Sequence, residues 1–72
     1  MRDLPLRGES IRLGQALKLS GLAESGGEAR ALVEDGVVTV NAEVEMRRGR
    51  QLRHGDVVAV GDEALRIEAS GP

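Results

Sequence analysis

A chain of 72 residues makes one domain whose core lies near the lower limit for a stable fold, with no room for a buried catalytic cleft and a supporting layer. Asp and Glu number 12 against 10 Lys and Arg, and the net charge of −2 disfavours a general nucleic-acid coat protein; the lack of cysteine excludes disulfides and thiolate metal sites. Phe, Tyr and Trp are absent as well, so bases cannot stack on aromatic rings and any nucleic-acid recognition must work through charge and backbone shape.

Residues 1–9, "MRDLPLRGE", carry Pro5 and Gly8 without periodicity and are expected to form a flexible arm. They hold no long apolar run, which argues against a signal peptide or membrane span and makes a cytoplasmic location the expectation. In "IRLGQALKLSGL", Leu13, Ala16 and Leu17 fall at helical spacing and Gly21 supplies a stop. Lys18 lies opposite that apolar stripe, where it is either a solvated lysine or a phosphate contact. "ESGGEARALVEDG" reads as a second helix. Ser25 and Glu28 fit a capping box, Ala29, Leu32 and Val33 form the inward stripe, and Gly36 fits the left-handed C-terminal position. Glu34 and Asp35 oppose the helix dipole, so tertiary packing must hold that end. Arg30 flanks the stripe within reach of Glu34.

After Gly36 the period changes from helical to alternating. "VVTV" and "EVEM" predict two strands joined at Asn41, the second alternating Val44 and Met46 against Glu43 and Glu45. Val57 to Val60 and Ala64 to Ile67 predict two more, with turns at Gly55-Asp56 and Gly61-Asp62. Asp56 is expected to anchor its own turn by accepting backbone N–H groups. The fold class is therefore α+β, with two short helices packed on a small, mostly antiparallel, twisted sheet. Residues 10–69 form the domain and 70–72 a tail.

Between the strands lies "RRGRQLR". Arg47, Arg48, Arg50 and Arg53 follow one another with no acid between Glu45 and Asp56. Alternation fails at Arg47-Arg48, so these charges are expected on a loop around Gly49, where guanidinium forks suit phosphate oxygens. The bland alternative is a solvated loop paired with acids of the helices. Ser25 serves as well as a cap as it would as an RNA contact, Asn41 suits a turn, and His54 is a turn residue beside Gly55. Catalysis is disfavoured, because His54 has no cysteine nucleophile, no serine partner and no paired carboxylates around it. Metal-ligand spacing is missing, and "ESGGEA" lacks the Lys-Ser/Thr ending of a nucleotide loop, so neither metal nor cofactor is expected.

The order of helix, helix, "GVVTVN", basic segment and "HGDVV" resembles the RNA-binding domain named after the fourth protein of the small ribosomal subunit, the S-four domain or alpha-L motif. The likeness runs from about Ile11 to Val60, and the chain looks like a short stand-alone bacterial member. It implies an RNA surface made of Arg12 and Leu13 at the first helix, Ser25 and Arg30 around the second, and Asn41 after the valine strand. Two positions depart from the pattern. Gly26 stands where the family often has arginine, with the arginine cluster expected to compensate, and Asn41-Ala42 stands for Asn-Gly, so the turn type is expected to differ.

The function expected is binding of structured RNA, a ribosomal or transfer-RNA-like hairpin or junction, by a monomer with the ribosome as a further partner and no membrane. Arg47, Arg48, Arg50 and Arg53 would neutralise phosphates, with Arg12, Lys18 and Arg30 extending the patch and Ser25, Asn41 and His54 at its margins. Four neutralised phosphates give a log–log salt slope of roughly −3 to −4. The alternative is a protein-interaction module whose arginines dock an acidic partner.

Overall fold

The computed structural model describes residues 1–8 and 10–69. In chain order the elements are β1 (Arg2–Leu6), β2 (Ile11–Arg12), α1 (Leu13–Leu19), α2 (Gly26–Glu34), β3 (Val38–Val40), β4 (Glu43–Val44), β5 (Gln51–Leu52), β6 (Val57–Val60) and β7 (Glu63–Ala69). Five strands make one sheet in the order β1-β7-β6-β3-β4, and β2 and β5 form a separate ribbon. All pairings are antiparallel except β1 with β7, so the expected α+β architecture holds.

The core is aliphatic throughout. Leu13, Ala16 and Leu17 of α1 and Ala29 and Val33 of α2 pack with Val38, Val40, Val58, Leu65 and Ile67 of the sheet and Leu52 of the ribbon. The helix stripes read at 3.6-residue spacing meet strand positions read at alternate spacing, so both periodicities end in one core.

Both helices are ended locally. Ser25 Oγ accepts from the N–H of Glu28 at 3.1 Å, while the Glu28 carboxylate accepts from the N–H of Glu24, one residue before the N-cap, at 3.3 Å. The capping box is thus present with its return bond shifted by one residue. Gly36, at φ +73°, terminates α2 as its position predicted.

Three expectations are corrected. Residues 2–6 are not a loose arm: they form β1, in parallel register with β7 from Arg2↔Leu65 to Leu6↔Ala69. Pro5 is tolerated because β1 lies at the sheet edge, where a missing N–H breaks no ladder, and Leu4 and Leu6 alternate toward the core. The expected tail, 70–72, lies outside the described residues. Second, the turn after β3 keeps its type. Asn41 has φ 52° and Ala42 φ 71°, so Ala42 occupies the left-handed conformation for which glycine is preferred. Third, the strand expected through Met46 stops at Val44. The register Thr39↔Val44 puts Val44 on the sheet face away from the helices, and Val44 and Met46 are 58% and 56% exposed, whereas Glu45 is buried.

Candidate nucleic-acid interface

The segment after β4 turns back on itself, with the N–H of Arg50 donating to the carbonyl of Arg47 at 3.2 Å. It then enters β5, whose pairing with β2 brings it to the start of α1. Two main-chain bonds fix it there: Leu13 N–H donates to Arg50 O at 2.8 Å and Gly14 N–H to Arg48 O at 2.9 Å. First-turn donors that a helix cannot satisfy internally are thereby paired with loop carbonyls. The approach does not depend on glycine at position 14, since a Cβ there would lie in ordinary contact, 3.6 Å from Arg48 O and 3.7 Å from Arg48 Cβ.

This docking creates an open cleft of about 540 Å³ between the loop, α1 and the start of α2. Arg12, Lys18 and Arg48 reach it from three different elements, and Gly26, Ala29 and Gly49 add surface without bulk. Among the described residues none of these three cations has an ion pair. Arg48 comes close enough to Glu34 to lower its carboxyl pKa slightly, behind the larger effects of the Arg30 hydrogen bond and charge.

The other expected residues lie in separate arrangements. Arg47 and Arg50 both bond Glu45: Arg47 through Nε at 3.2 Å, Arg50 through Nη1 at 3.0 Å, with the main-chain N–H of Arg47 adding a third donor at 3.1 Å. The Glu45 side chain is 9% exposed, and hydrogen bonds from Arg47 and then Arg50 outweigh burial to hold its carboxyl far below the usual range, at about 2. The four-arginine run is therefore not one unpartnered surface. Its sequence neighbour Glu45, invisible as a partner while the strand was read as continuing with its glutamates outward, takes half of it.

Arg30 is bound to Glu34 at 2.6 Å and does not line the cleft. Ser25 is occupied as the α2 cap. Asn41, Arg53 and His54 belong to the turn structure around Asp56. The Asn41 side-chain amide donates to Asp56 Oδ1 at 3.0 Å, its carbonyl oxygen accepts from Val57 N–H at 3.0 Å, and Arg53 N–H donates to Asp56 Oδ2 at 2.8 Å. Burial raises the Asp56 pKa, but the Arg53 N–H and the Asn41 amide overcome it, so the net shift is downward. His54 Nδ1 accepts from Ala69 N–H at 3.1 Å and so helps fasten the end of β7. The Arg53 guanidinium makes no ion pair among the described residues. Of the ten expected site residues, Arg12, Lys18 and Arg48 thus share the cleft. Gln15 and Gly14 were missed there; both sit on the exposed side of the α1 stripe, a signal the sequence does carry.

The sequence profile of the S4 domain matches residues 4–68. The chain belongs to the S4 domain family. Outside that profile, the probable ribosome maturation protein RlbA of Bacillus subtilis (strain 168) is 48% identical over 52 residues, 72% of this chain and 73% of that one. The solution structure of YbcJ from E. coli, described as revealing an ALFAL motif involved in RNA-binding, superposes with a TM-score of 0.74 at 28% identity, covering 96% of this chain and 89% of YbcJ. The ribosomal protein S4e of Thermoplasma acidophilum shares the fold, with a TM-score of 0.59 at 22% identity over 81% of this chain and 30% of S4e. Among the described residues, no helix is long and apolar enough to cross a membrane.

Proposed function

We propose that this protein binds structured RNA, with ribosomal RNA as its class of target, by seating backbone phosphates in the cleft of Arg12, Lys18 and Arg48. The observation that carries the reading is the convergence of three cations from three elements on one concavity, none neutralised by a described carboxylate. Guanidinium and ammonium groups held apart on a rigid frame suit phosphates spaced along a backbone. Support comes also from the relatives: YbcJ is described by an RNA-binding motif and RlbA by ribosome maturation. The role is binding rather than catalysis, exercised in the cytoplasm by a monomer on the ribosome or its precursors.

Because Arg47 and Arg50 are already paired, about three phosphates are neutralised, and the log–log salt slope should be about −2 to −3. Fluorescence anisotropy with a panel of labelled ribosomal RNA hairpins, and a DNA duplex of equal length as control, measures it. Combining Arg12→Glu with Arg48→Glu should leave the thermal transition intact and abolish RNA binding. Retained affinity in that double variant would exclude the cleft as the RNA site. An acidic protein partner remains the second outcome of the test: capture from lysate that survives ribonuclease would favour it.

A further inference from the structure

Glu45 stands at the edge of the most cationic stretch of the chain, and its carboxylate lies against two of that stretch's arginines. Its surroundings give it a use. The backbone is fixed by Glu45 N–H donating to Val38 O at 3.0 Å, so the carboxylate is tied to the sheet. From there it holds the residues on either side of Arg48 and Gly49: Arg47 through side chain and main chain, Arg50 through its guanidinium. The carbonyls of Arg48 and Arg50 in turn accept from Gly14 and Leu13 of α1. The loop is therefore pinned to the sheet by Glu45 and to the helix by its own carbonyls, and Arg48, between the two clamped arginines, lines the cleft.

We propose that Glu45 is a positioning residue for RNA, holding the Arg47–Arg50 loop in the shape that presents Arg48 to the cleft, so that removing its negative charge weakens RNA binding. This rests on the RNA reading above. Two effects oppose each other. Losing the carboxylate adds one net positive charge, which raises affinity only about fivefold near 0.2 M salt, one further unit of salt slope. Releasing Arg47 and Arg50 leaves three neighbouring guanidiniums without a counter-ion and obliges RNA to reorder long side chains and a loop, a loss of several-fold for each side chain. The second effect is larger, and a net loss of about tenfold follows.

The test compares full-length wild type, Glu45→Gln and Glu45→Asp on the tightest ribosomal RNA hairpin, by anisotropy between roughly 50 and 200 mM salt, at a temperature where thermal melts show all three folded. Glu45→Gln should bind about tenfold more weakly with a slope no steeper than wild type, and Glu45→Asp, which keeps the charge, should recover part of the loss. Equal or tighter binding by Glu45→Gln with a steeper slope would overturn the proposal, since the freed arginines would then be serving as ordinary phosphate contacts. A residue needed only for stability would shift the melting temperature and leave affinity and slope unchanged, which also overturns it. The arginine side-chain N–H resonances of the free protein give a readout independent of RNA. An exchange-protected Arg47 Nε–H signal and an exchange-protected Arg50 Nη–H signal in wild type, the two guanidinium donors to Glu45, that collapse in Glu45→Gln support the clamp, and their absence in wild type refutes it. If wild type binds no RNA, the RNA reading falls, while these resonances still decide whether Glu45 sets the loop.

Discussion

At the scale of single residues, the electrostatics centre on Glu45 and Asp56. Each carboxyl is held ionised by donors that exist only in the folded chain: two guanidiniums and a main-chain N–H for Glu45, an amide and a main-chain N–H for Asp56. A carboxyl whose pKa is lower folded than unfolded stabilises the fold fully above its unfolded value, and the contribution disappears as pH falls toward the folded one. For Glu45 that window runs from the ordinary carboxylate value of 4.5 down to about 2. Thermal midpoints across this range should fall in wild type. The fall should be shallower in Glu45→Gln, which has no proton to gain at that position. Equal slopes for the two proteins would mean that Glu45 ionisation is not linked to folding. The sequence shows where positive charge lies along the chain but not its state. Arg48 and Arg50 look alike as letters; one lines a cleft and the other is held by a carboxylate. The difference depends on which way Glu45 points, and that follows from the strand ending at Val44.

At the scale of elements, the β3–β4 hairpin shows how a local rule can be overridden. Asn-Ala is poorly suited to a two-residue turn with φ positive at both positions, yet Asn41 and Ala42 adopt it. Asn41 compensates by bonding outward: its N–H donates to Val57 O at 2.7 Å, and its side chain joins Asp56 and the Val57 N–H. The turn is thereby tied to β6, and the strain at Ala42 is maintained by contacts that sequence reading cannot supply. Ala42→Gly removes the positive-φ cost of about 1 kcal/mol and gives back part of it as backbone entropy. The variant should gain about 0.5 kcal/mol and a few degrees in melting temperature. A lower melting temperature in calorimetry would show that the Ala42 conformation carries no strain. The two helices were legible for the opposite reason. The stripe Leu13, Ala16, Leu17, the Ser25 cap and the Gly36 stop each say the same thing at a different level, and no tertiary demand contradicts them. β2 and β5 were not legible, because strands of two residues have no period to read.

On the scale of the whole molecule, a small aliphatic core is completed by a strand that looked dispensable. Leu6 of β1 is buried with Leu65 and Ile67 of β7, and Leu4 packs against the same cluster. At the far end of β1, Arg2 donates to Ser20 O at 2.6 Å and to Glu63 at 2.9 Å, linking the end of α1 to the start of β7. Leu6→Ala should cost about 2 kcal/mol, a large share of the few kcal/mol available to a domain of this size. Urea unfolding would register it as a lower midpoint with little change in slope. A loss below about 0.5 kcal/mol, typical of surface positions, would mean that β1 adds no more than a surface segment. The division between what was legible and what was not follows sequence distance. Elements closed by near neighbours could be read, whereas the β1–β7 pairing joins residues from opposite ends of the chain.

That pairing also sets an order of assembly. Loop-closure entropy makes the ladder from Arg2↔Leu65 to Leu6↔Ala69 the most expensive contact to form early. On a ribosome, β7 must clear the exit tunnel before its parallel partner can dock, while every residue lining the cleft has been synthesised earlier. The nascent protein therefore carries all the parts of its basic surface before the far edge of its sheet can be sealed.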